Sequence, residues 1–168
     1  MLSVSELRDA LVLLKGKECW SIVAGAGTGS AIHLEFGAKV PRRVPLRERP
    51  RLSAEQVCYE GEIDLFVQCA WRLERSQSVI CGSTDDDRND GPMVEGLSEL
   101  RGMTVQDVDV SDPIPDFELR LTGDMRLKVF CDQTNIETNI DNYSVRVGET
   151  IYVVASKGQL ATEKRNSE

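Results

Sequence analysis

Apolar and polar side chains alternate on both sides of a short turn in the stretch Phe117-Glu118-Leu119-Arg120-Leu121-Thr122-Gly123-Asp124-Met125-Arg126-Leu127-Lys128-Val129. A period of two is typical of a β-strand that has one face in the core and the other face in water. The residues Thr122-Gly123-Asp124 are of the types that tight turns prefer. The stretch therefore predicts two strands joined by a tight turn, and it indicates a mainly β fold.

The same pattern recurs elsewhere in the chain. Residues 31–36 and 63–67 alternate in the same way, and residues 151–155 form a continuous run of β-forming side chains. Short strands separated by Gly, Pro and Asp turns favour an antiparallel sandwich or a barrel-like roll. This is the architecture that we expect.

The beginning of the chain has a different period. Ser3 and Glu6 match the S-x-x-E capping box that starts a helix, and leucines then recur at helical spacing. The leucines on this face are Leu7, Leu11 and Leu14. We predict one N-terminal helix within residues 1–16, before the strands begin.

Five blocks of sequence occur twice in the same order. The paired blocks are residues 14–23 and 100–108, 34–37 and 119–123, 65–69 and 127–131, 71–73 and 143–145, and 78–80 and 150–152. A conserved order of matches favours an internal duplication. We predict two similar five-stranded halves that bury their apolar faces against each other, because a small sheet alone hides too little surface.

This repeat gives a predicted organisation for the whole chain, residues 1–168, as a single compact domain. The segments that follow the N-terminal helix are the first β repeat (17–82), an acidic linker (83–99), the second β repeat (100–158) and a polar, frayed tail (159–168).

The charge of the chain restricts its partners. Acidic residues outnumber basic ones by 28 to 20, which gives a net charge of −8 at pH 7. A surface of this sign repels the phosphates of nucleic acids and attracts basic molecules over long range. We therefore expect a basic protein partner and no nucleic acid.

The cysteines and the apolar segments indicate the compartment. Five cysteines are widely spaced and form no C-x-x-C pair, so neither a disulfide framework nor a zinc knuckle is predicted. The first residues lack the pattern of a secretion signal, and no apolar run approaches the length of a membrane span. We expect a cytoplasmic protein with no membrane partner, no metal and no cofactor.

A segment rich in arginine and proline stands out within this acidic protein. Residues 41–51 contain five arginines, and three prolines favour an extended conformation. Guanidinium groups at Arg42, Arg43, Arg47 and Arg49 could bind carboxylates or phosphates. The alternative is that the segment folds back onto acidic residues of the protein itself, including the linker at 85–90.

Two other groups of residues are candidate binding positions. Trp71 and Arg72 end an apolar strand, where the indole either packs in the core or stacks on a ligand. Residues 85–91, which begin with Asp85, Asp86 and Asp87, resemble the start of a calcium loop with oxygen ligands at Asp85, Asp87 and Asn89. The glycine and glutamate positions that follow do not fit such a loop. A solvated acidic linker or a contact for a basic partner is the better interpretation.

The sequence contains no familiar set of catalytic residues. His33 is the single histidine and falls on the polar side of its strand, so a Ser-His-Asp or Cys-His site is not indicated. The glycine-rich segment 25–30 fits neither a dinucleotide fingerprint nor a P-loop, and we predict a turn there. We therefore predict that the protein is not an enzyme.

Several short motifs carry a resemblance to known proteins. They are Gly27 to Ser30, Leu34 to Gly37, Trp71 to Leu73, Leu100 to Val105 and Leu127 to Phe130. Together they resemble a group of small uncharacterised bacterial β-rich proteins, some of which look like immunity proteins of bacterial toxin systems. The resemblance covers most of the chain and implies a β-rich architecture and the binding of a protein. It carries no known catalytic residues.

Three functions follow from these observations, in order of preference. The first is a non-enzymatic, protein-binding module of immunity type, which binds a basic partner such as a toxin. The second is a β-roll that binds a small anion or metabolite near Trp71, Tyr143 and the arginine-rich segment. The third is an enzyme that uses carboxylates and Arg72 without histidine.

Overall fold

The computed structural model describes residues 1–25 and 27–166, and these form two β-sheets and three short α-helices. The helices are α1 (Val4–Val12), α2 (Ala54–Cys58) and α3 (Pro92–Ser98), and a 3-10 turn covers Ser156–Gly158. The strands are β1 (Cys19–Val23), β2 (Ile32–Pro41), β3 (Tyr59–Val67), β4 (Ala70–Arg75), β5 (Ser78–Gly82), β6 (Val105–Val110), β7 (Phe117–Leu121), β8 (Met125–Phe130), β9 (Tyr143–Val147), β10 (Thr150–Val154) and β11 (Leu160–Lys164).

The two sheets form an antiparallel sandwich. The six-stranded sheet has the order β1-β2-β3-β9-β10-β11, and the five-stranded sheet has the order β5-β4-β8-β7-β6. Their apolar faces share one core. Fully buried members of this core are Leu34, Leu65, Leu73, Leu119, Leu127 and Val145. The prediction of a mainly β, antiparallel fold preceded by one N-terminal helix is confirmed.

Strands β1–β5 and strands β6–β10 follow the same path through this sandwich. In each group three consecutive strands form a meander in one sheet, and the next two strands form a hairpin in the other sheet. The junctions are equivalent, because β3 pairs with β9 and β8 pairs with β4. The two groups therefore interlock, and each sheet contains strands from both. They do not stack as two separate sheets.

The strand registers of the two groups correspond as well. Leu34 pairs with Leu65 in the first meander, and Leu119 pairs with Leu127 in the second. The ladder is interrupted between Cys19 and Ser21 in β1, and between residues 105 and 107 in β6. When the two interruptions are aligned, Ser21 of the first half corresponds to Asp107 of the second half. The sequence blocks instead align Ser21 with Gln106, one position earlier. A common origin by duplication stays a prediction.

The starts of β1 and β6 lie side by side and close one edge of the sandwich. Each follows a Leu-Lys-Gly or Leu-Arg-Gly turn in which the glycine has a positive φ, 82° at Gly16 and 83° at Gly102. Gly16 donates its N–H to the Val105 carbonyl (2.8 Å), and Gly102 donates its N–H to the Cys19 carbonyl (2.8 Å). Glycine adopts this left-handed conformation without strain, so it permits the same sharp exit at both places.

Helix α1 begins as the capping box predicts. The Ser3 N–H donates to the Glu6 carboxylate (2.8 Å), and the Glu6 N–H donates to the Ser3 hydroxyl (3.2 Å). Leu7, Leu11 and Leu14 are fully buried. The helix therefore covers the core with its leucine face, against β6 and β9.

Two parts of the predicted organisation are wrong. The segment 83–99 is not only a linker, because it contains α3, whose Met93 and Leu97 are buried. The tail 159–168 contains β11, which pairs with β10 along its whole length. Backbone hydrogen bonds hold this strand although most of its side chains are exposed. Ser167 and Glu168, the last residues of the predicted tail, lie outside the described residues.

Helix α2 and the glycine-rich segment 25–30 differ in how well the sequence predicted them. Helix α2 was not predicted, although Ser53 and Gln56 form a capping box at its start. The glycine-rich segment is a turn as predicted at Gly25 and at residues 27–30, with positive φ at its glycines. Ala26, within this segment, lies outside the described residues.

Candidate functional site

Arg42, at the start of the arginine-rich segment, points into the protein. It follows directly after β2, and one of its terminal nitrogens (Nη2) lies 3.3 Å from both carboxylate oxygens of Glu35. Its Nε donates to the Gln56 carbonyl (3.0 Å). Glu35 is only 1 % exposed, so this guanidinium supplies the charge that its carboxylate needs. Arg42 therefore pairs with an acidic residue of the protein itself, which was one of the two interpretations of the arginine-rich segment.

The Glu35–Arg42 pair belongs to a larger ionic cluster on the outer face of the six-stranded sheet. Arg165 forms two hydrogen bonds with Glu60 (2.6 and 2.9 Å), and Arg146 donates to Asp64 (2.6 Å). The other guanidinium nitrogen of Arg42 lies 3.7 Å from Glu60 and joins the pairs. We define the ionic cluster as Glu35, Arg42, Glu60, Asp64, Arg146 and Arg165.

Basic neighbours keep the Glu60 and Asp64 carboxylates of this cluster ionised. Burial raises the pKa of Glu60, but the hydrogen bond from Arg165 and the charges of nearby arginines outweigh burial, and the pKa lies below its ordinary value. Burial also raises the pKa of Asp64, and His33 and Arg146 together outweigh it. These carboxylates are therefore poor general acids near neutral pH.

His33, with Glu35 and Asp64 of the ionic cluster, forms the one group among residues 1–25 and 27–166 whose side chains could together hold a metal ion. Ligand atoms of His33, Glu35 and Asp64 lie within 4.8 Å of one another. Both carboxylates already bind a guanidinium, which a cation would have to displace against charge repulsion. No hydroxyl or thiol of the described chain hydrogen-bonds His33, so no nucleophile is assembled there. We interpret the cluster as structural; the absence of metal, cofactor and catalysis stays a prediction.

The other arginines of the segment remain on the surface. Arg43 pairs with Glu149 (2.5 Å), and both side chains are about half exposed. Arg47 and Arg49 have no ion pair within the described residues. Arg49 lines a cavity of about 440 Å³ together with Glu48, Pro50, Leu52, Ala54 and Val57. An anion in this cavity would meet Arg49, which forms no ion pair among the described residues, and also the carboxylate of Glu48.

Trp71 and Tyr143 do not form a ligand site. The Trp71 side chain is 2 % exposed, and its indole N–H donates to the Ser30 carbonyl (2.7 Å). Tyr143 is fully buried and donates its hydroxyl to the Pro115 carbonyl (2.7 Å). Both rings fill the core, and neither lines the cavity beside Arg49. The predicted pocket between Trp71, Tyr143 and the arginine-rich segment is not formed.

Arg72 and the acidic residues of the linker have local roles. Arg72 donates to Glu74 (2.7 Å) and lies over the ring of Phe130 (5.6 Å) on the sheet surface. Asp85 accepts the Gly82 N–H (2.8 Å), which shapes the turn after β5. Asp86 accepts the N–H of Arg88 (2.9 Å). Asp87 is half-buried, and its carbonyl approaches Gly25. The structure does not bring these residues together with the arginines at 42–49.

A groove that the sequence did not indicate lies between α1 and the last two strands of the six-stranded sheet. Its volume is about 740 Å³. Helix α1 and the residues before it form one wall, and β10 and β11 form the other. We call it the α1–β11 groove and define it by its lining: Met1, Leu2, Glu6, Asp9, Ala10, Leu13, Thr150, Tyr152 and residues 160–164.

The corresponding place in the other half of the sandwich is filled. Ala10 lies four residues before Leu14, and Gly96 lies four residues before Leu100. Since Leu14 and Leu100 begin the two equivalent turns, Ala10 and Gly96 are equivalent positions. Helix α3 packs against β5 there, and a Cβ at Gly96 would lie 2.6 Å from the sulfur of Cys81. Ala10, by contrast, lines the open groove together with Tyr152. The open groove is therefore a local departure from the shared plan of the two halves.

The rim of the α1–β11 groove is acidic. Three carboxylates, those of Glu6, Asp9 and Glu163, line it together with a single lysine, Lys164. Burial, and then the charge of Glu163, raise the pKa of Asp141 near this rim. A raised pKa means that the charged form of Asp141 is less favourable in the folded protein than in the unfolded chain. A cation bound beside Glu163 would relieve this repulsion.

Sequence reasoning missed the groove because its walls come from opposite ends of the chain. The only signal was the S-x-x-E start of α1, which fixes where Glu6 and Asp9 stand on the helix surface. Because residues 159–168 were predicted to be a frayed tail, β11, which forms part of the second wall, was not predicted.

No protein-family model, curated protein or solved structure matches this chain. Among the described residues, no helix combines the length and the apolar character needed to cross a bilayer.

Proposed function

We propose that the protein is a non-enzymatic, protein-binding module whose α1–β11 groove takes a basic, extended segment of a partner protein. The observation that carries this proposal is the open groove itself, at a position where the other half of the sandwich is closed by α3. An apolar floor provided by Leu2, Ala10, Leu13 and Tyr152 favours the burial of aliphatic side chains. The acidic rim favours lysine or arginine between them.

The edge of the sheet supports an extended conformation for the bound segment. Strand β11 is the last strand of the six-stranded sheet and pairs on one side only, with β10. Its outer edge presents backbone groups that another strand could pair with. A segment that alternates apolar and basic residues would place one face in the groove and pair its backbone with β11.

The net charge of −8 and the resemblance to immunity proteins support a basic partner, such as a toxin domain, and we propose this class of partner. We also propose that the protein acts in the cytoplasm, because its five cysteines are free thiols.

A synthetic peptide that alternates lysine and valine tests the groove directly. We expect a peptide of about ten residues to bind with a dissociation constant on the order of 10 µM at low salt. Replacing the rim carboxylates in E6Q/D9N/E163Q should weaken binding about tenfold, because each exposed charge contributes about 0.5 kcal/mol. Isothermal titration calorimetry measures both affinities, and glutamine at position 6 preserves the capping box.

The matched control removes the same number of charges elsewhere. D86N/D90N/E95Q changes three exposed acidic residues that do not line the groove. It should leave the affinity within about twofold, apart from the loss of long-range attraction. An equal loss in both triple variants, or equal binding of a glutamate–valine peptide, would contradict the proposal.

The arginine-rich segment favours a second function, the binding of a small anion. The observation is that Arg47 and Arg49 have no ion pair within the described chain, although the protein has an excess of acids. Sulfate or phosphate at ten times its dissociation constant should raise the unfolding midpoint by roughly 3 °C at constant ionic strength. R47Q/R49Q should abolish this rise, whereas R43Q should retain it, because Arg43 already pairs with Glu149. An unchanged midpoint in the wild-type protein would exclude this second function.

A further inference from the structure

Cys69 and Cys131 occupy equivalent positions in the two interlocked halves, and they lie close together where the chain passes between the sheets. Cys69 comes directly before β4, and Cys131 comes directly after β8. These two strands are antiparallel neighbours, and their last pair is Ala70 with Phe130. The two cysteines therefore lie at the next pair along the same ladder.

The backbone hydrogen bonds show which kind of pair this is. The Cys69 N–H donates to the Asn142 carbonyl (3.0 Å), and the Cys131 N–H donates to the Asp116 carboxylate (2.7 Å). Neither amide bonds the other cysteine, so the position continues the ladder as a non-hydrogen-bonded pair. Directly opposed residues at such pairs have Cα atoms about 4.5 Å apart. This separation lies within the range that a disulfide spans.

The two thiols also influence each other's ionisation. The neighbouring Cys69 thiol is the largest cause that raises the pKa of the Cys131 thiol, ahead of burial. Cys131 is half-buried and so can be reached from solvent, whereas Cys69 is 1 % exposed. The pair thus combines one accessible sulfur with one buried sulfur beside it.

We propose that Cys69 and Cys131 form a reversible disulfide that links the two halves of the sandwich when the protein meets a low-molecular-weight disulfide. The Cys131 thiolate attacks the disulfide RSSR, and a mixed disulfide forms while RS⁻ leaves and takes up a proton. The Cys69 thiol then loses its proton and attacks the Cys131 sulfur, which releases the second RSH. The protein loses two hydrogens and RSSR gains them, so each step balances.

The raised pKa of Cys131 fixes the conditions under which this happens. Because a thiolate is the attacking species, exchange is slow at neutral pH and becomes faster as the pH rises. The link is therefore a response to sustained oxidation, and the reduced protein remains the ordinary form in a reducing compartment.

Thiol counting after treatment of the folded, full-length protein with oxidised glutathione tests the proposal. We expect the Cys69 and Cys131 thiols to disappear, apart from any mixed disulfide that glutathione forms with the exposed Cys58, and we expect peptide mapping to find a crosslink between Cys69 and Cys131 without bound glutathione. Dithiothreitol should restore all five. The crosslinked protein should unfold at a temperature higher by roughly 5 to 15 °C, because the link closes a long loop in the unfolded chain.

Three variants distinguish this disulfide from other outcomes. C131S should lose no thiol to a crosslink, and C69S should accumulate a mixed disulfide at Cys131. C58S, which removes the exposed cysteine of α2, should crosslink like the wild-type protein. A stable mixed disulfide at Cys131 in the wild-type protein, or five intact thiols after prolonged exposure at mildly alkaline pH, would overturn the proposal.

Discussion

The R42M variant is expected to lower the free energy of unfolding by about 4 kcal/mol, because it leaves the buried Glu35 carboxylate without its guanidinium partner. Methionine is shorter than arginine but keeps its apolar stem, so the effect reports mainly the lost charge and hydrogen bonds. Burial separates this pair from most surface ion pairs, since the side chains are only 11 % and 1 % exposed. Urea denaturation at pH 7 measures the change.

The neighbouring arginine supplies the control. R43M breaks the exposed pair with Glu149, and it should cost no more than about 1 kcal/mol because water screens this pair. The double variant E35Q/R42M should recover part of the loss, since it removes the buried charge together with its partner. Similar losses for R42M and R43M would show that the ionic cluster does not hold the arginine-rich segment.

The second large effect is expected at Gly96, where α3 approaches the five-stranded sheet. Any side chain there meets Cys81, whose sulfur and Cβ lie 2.6 and 2.8 Å from the position of an added Cβ. Both atoms belong to a short, buried side chain on a strand, so neither can move aside without repacking the core. We expect Gly96→Leu to destabilise the protein by about 3 kcal/mol through overpacking.

Ala10 is the matched position in the other half. Ala10 is itself only 3 % exposed, but it lines the α1–β11 groove, so we expect Ala10→Leu to cost less stability than Gly96→Leu, about 1 kcal/mol. The same variant should abolish binding of the lysine–valine peptide, because leucine fills the apolar floor. Thermal and urea unfolding compare the two variants, and calorimetry reports the peptide. Equal destabilisation at both positions would mean that the groove is not open space.

Local sequence patterns predicted those elements whose residues are close in the chain. Alternation in residues 117–129 predicted β7, β8 and the turn between them, and the Ser3–Glu6 capping box predicted the start of α1. Strand β11 escaped because its side chains are mostly polar, and its stability depends on pairing with β10. Helix α3 was not predicted, because Gly96 interrupts the apolar pattern that indicates a helix. The structure needs a glycine at this position because α3 passes close to Cys81.

The candidate site shows the same limit more clearly. The charge of −8, the single histidine and the arginine-rich segment are properties of the sequence, and the proposals of a basic partner and of no histidine-dependent chemistry rest on them. The sequence could not assign Arg42 to a buried pair and Arg43 to the surface, because adjacent side chains look alike until the fold surrounds one of them. It also left open whether Trp71 meets a ligand or the core.

The sequence by itself determined a β-rich fold with a helix before it, because hydrophobic period and capping act over a few residues. Only the tertiary structure decided that the hairpin of each half joins the sheet that contains the meander of the other half. It also decided that α1 and β11, from opposite ends of the chain, enclose a groove, and that Cys69 and Cys131 lie at the adjoining ends of β4 and β8. These features depend on pairing between distant strands, and the energy of such pairing arises from burial that no local window of sequence contains.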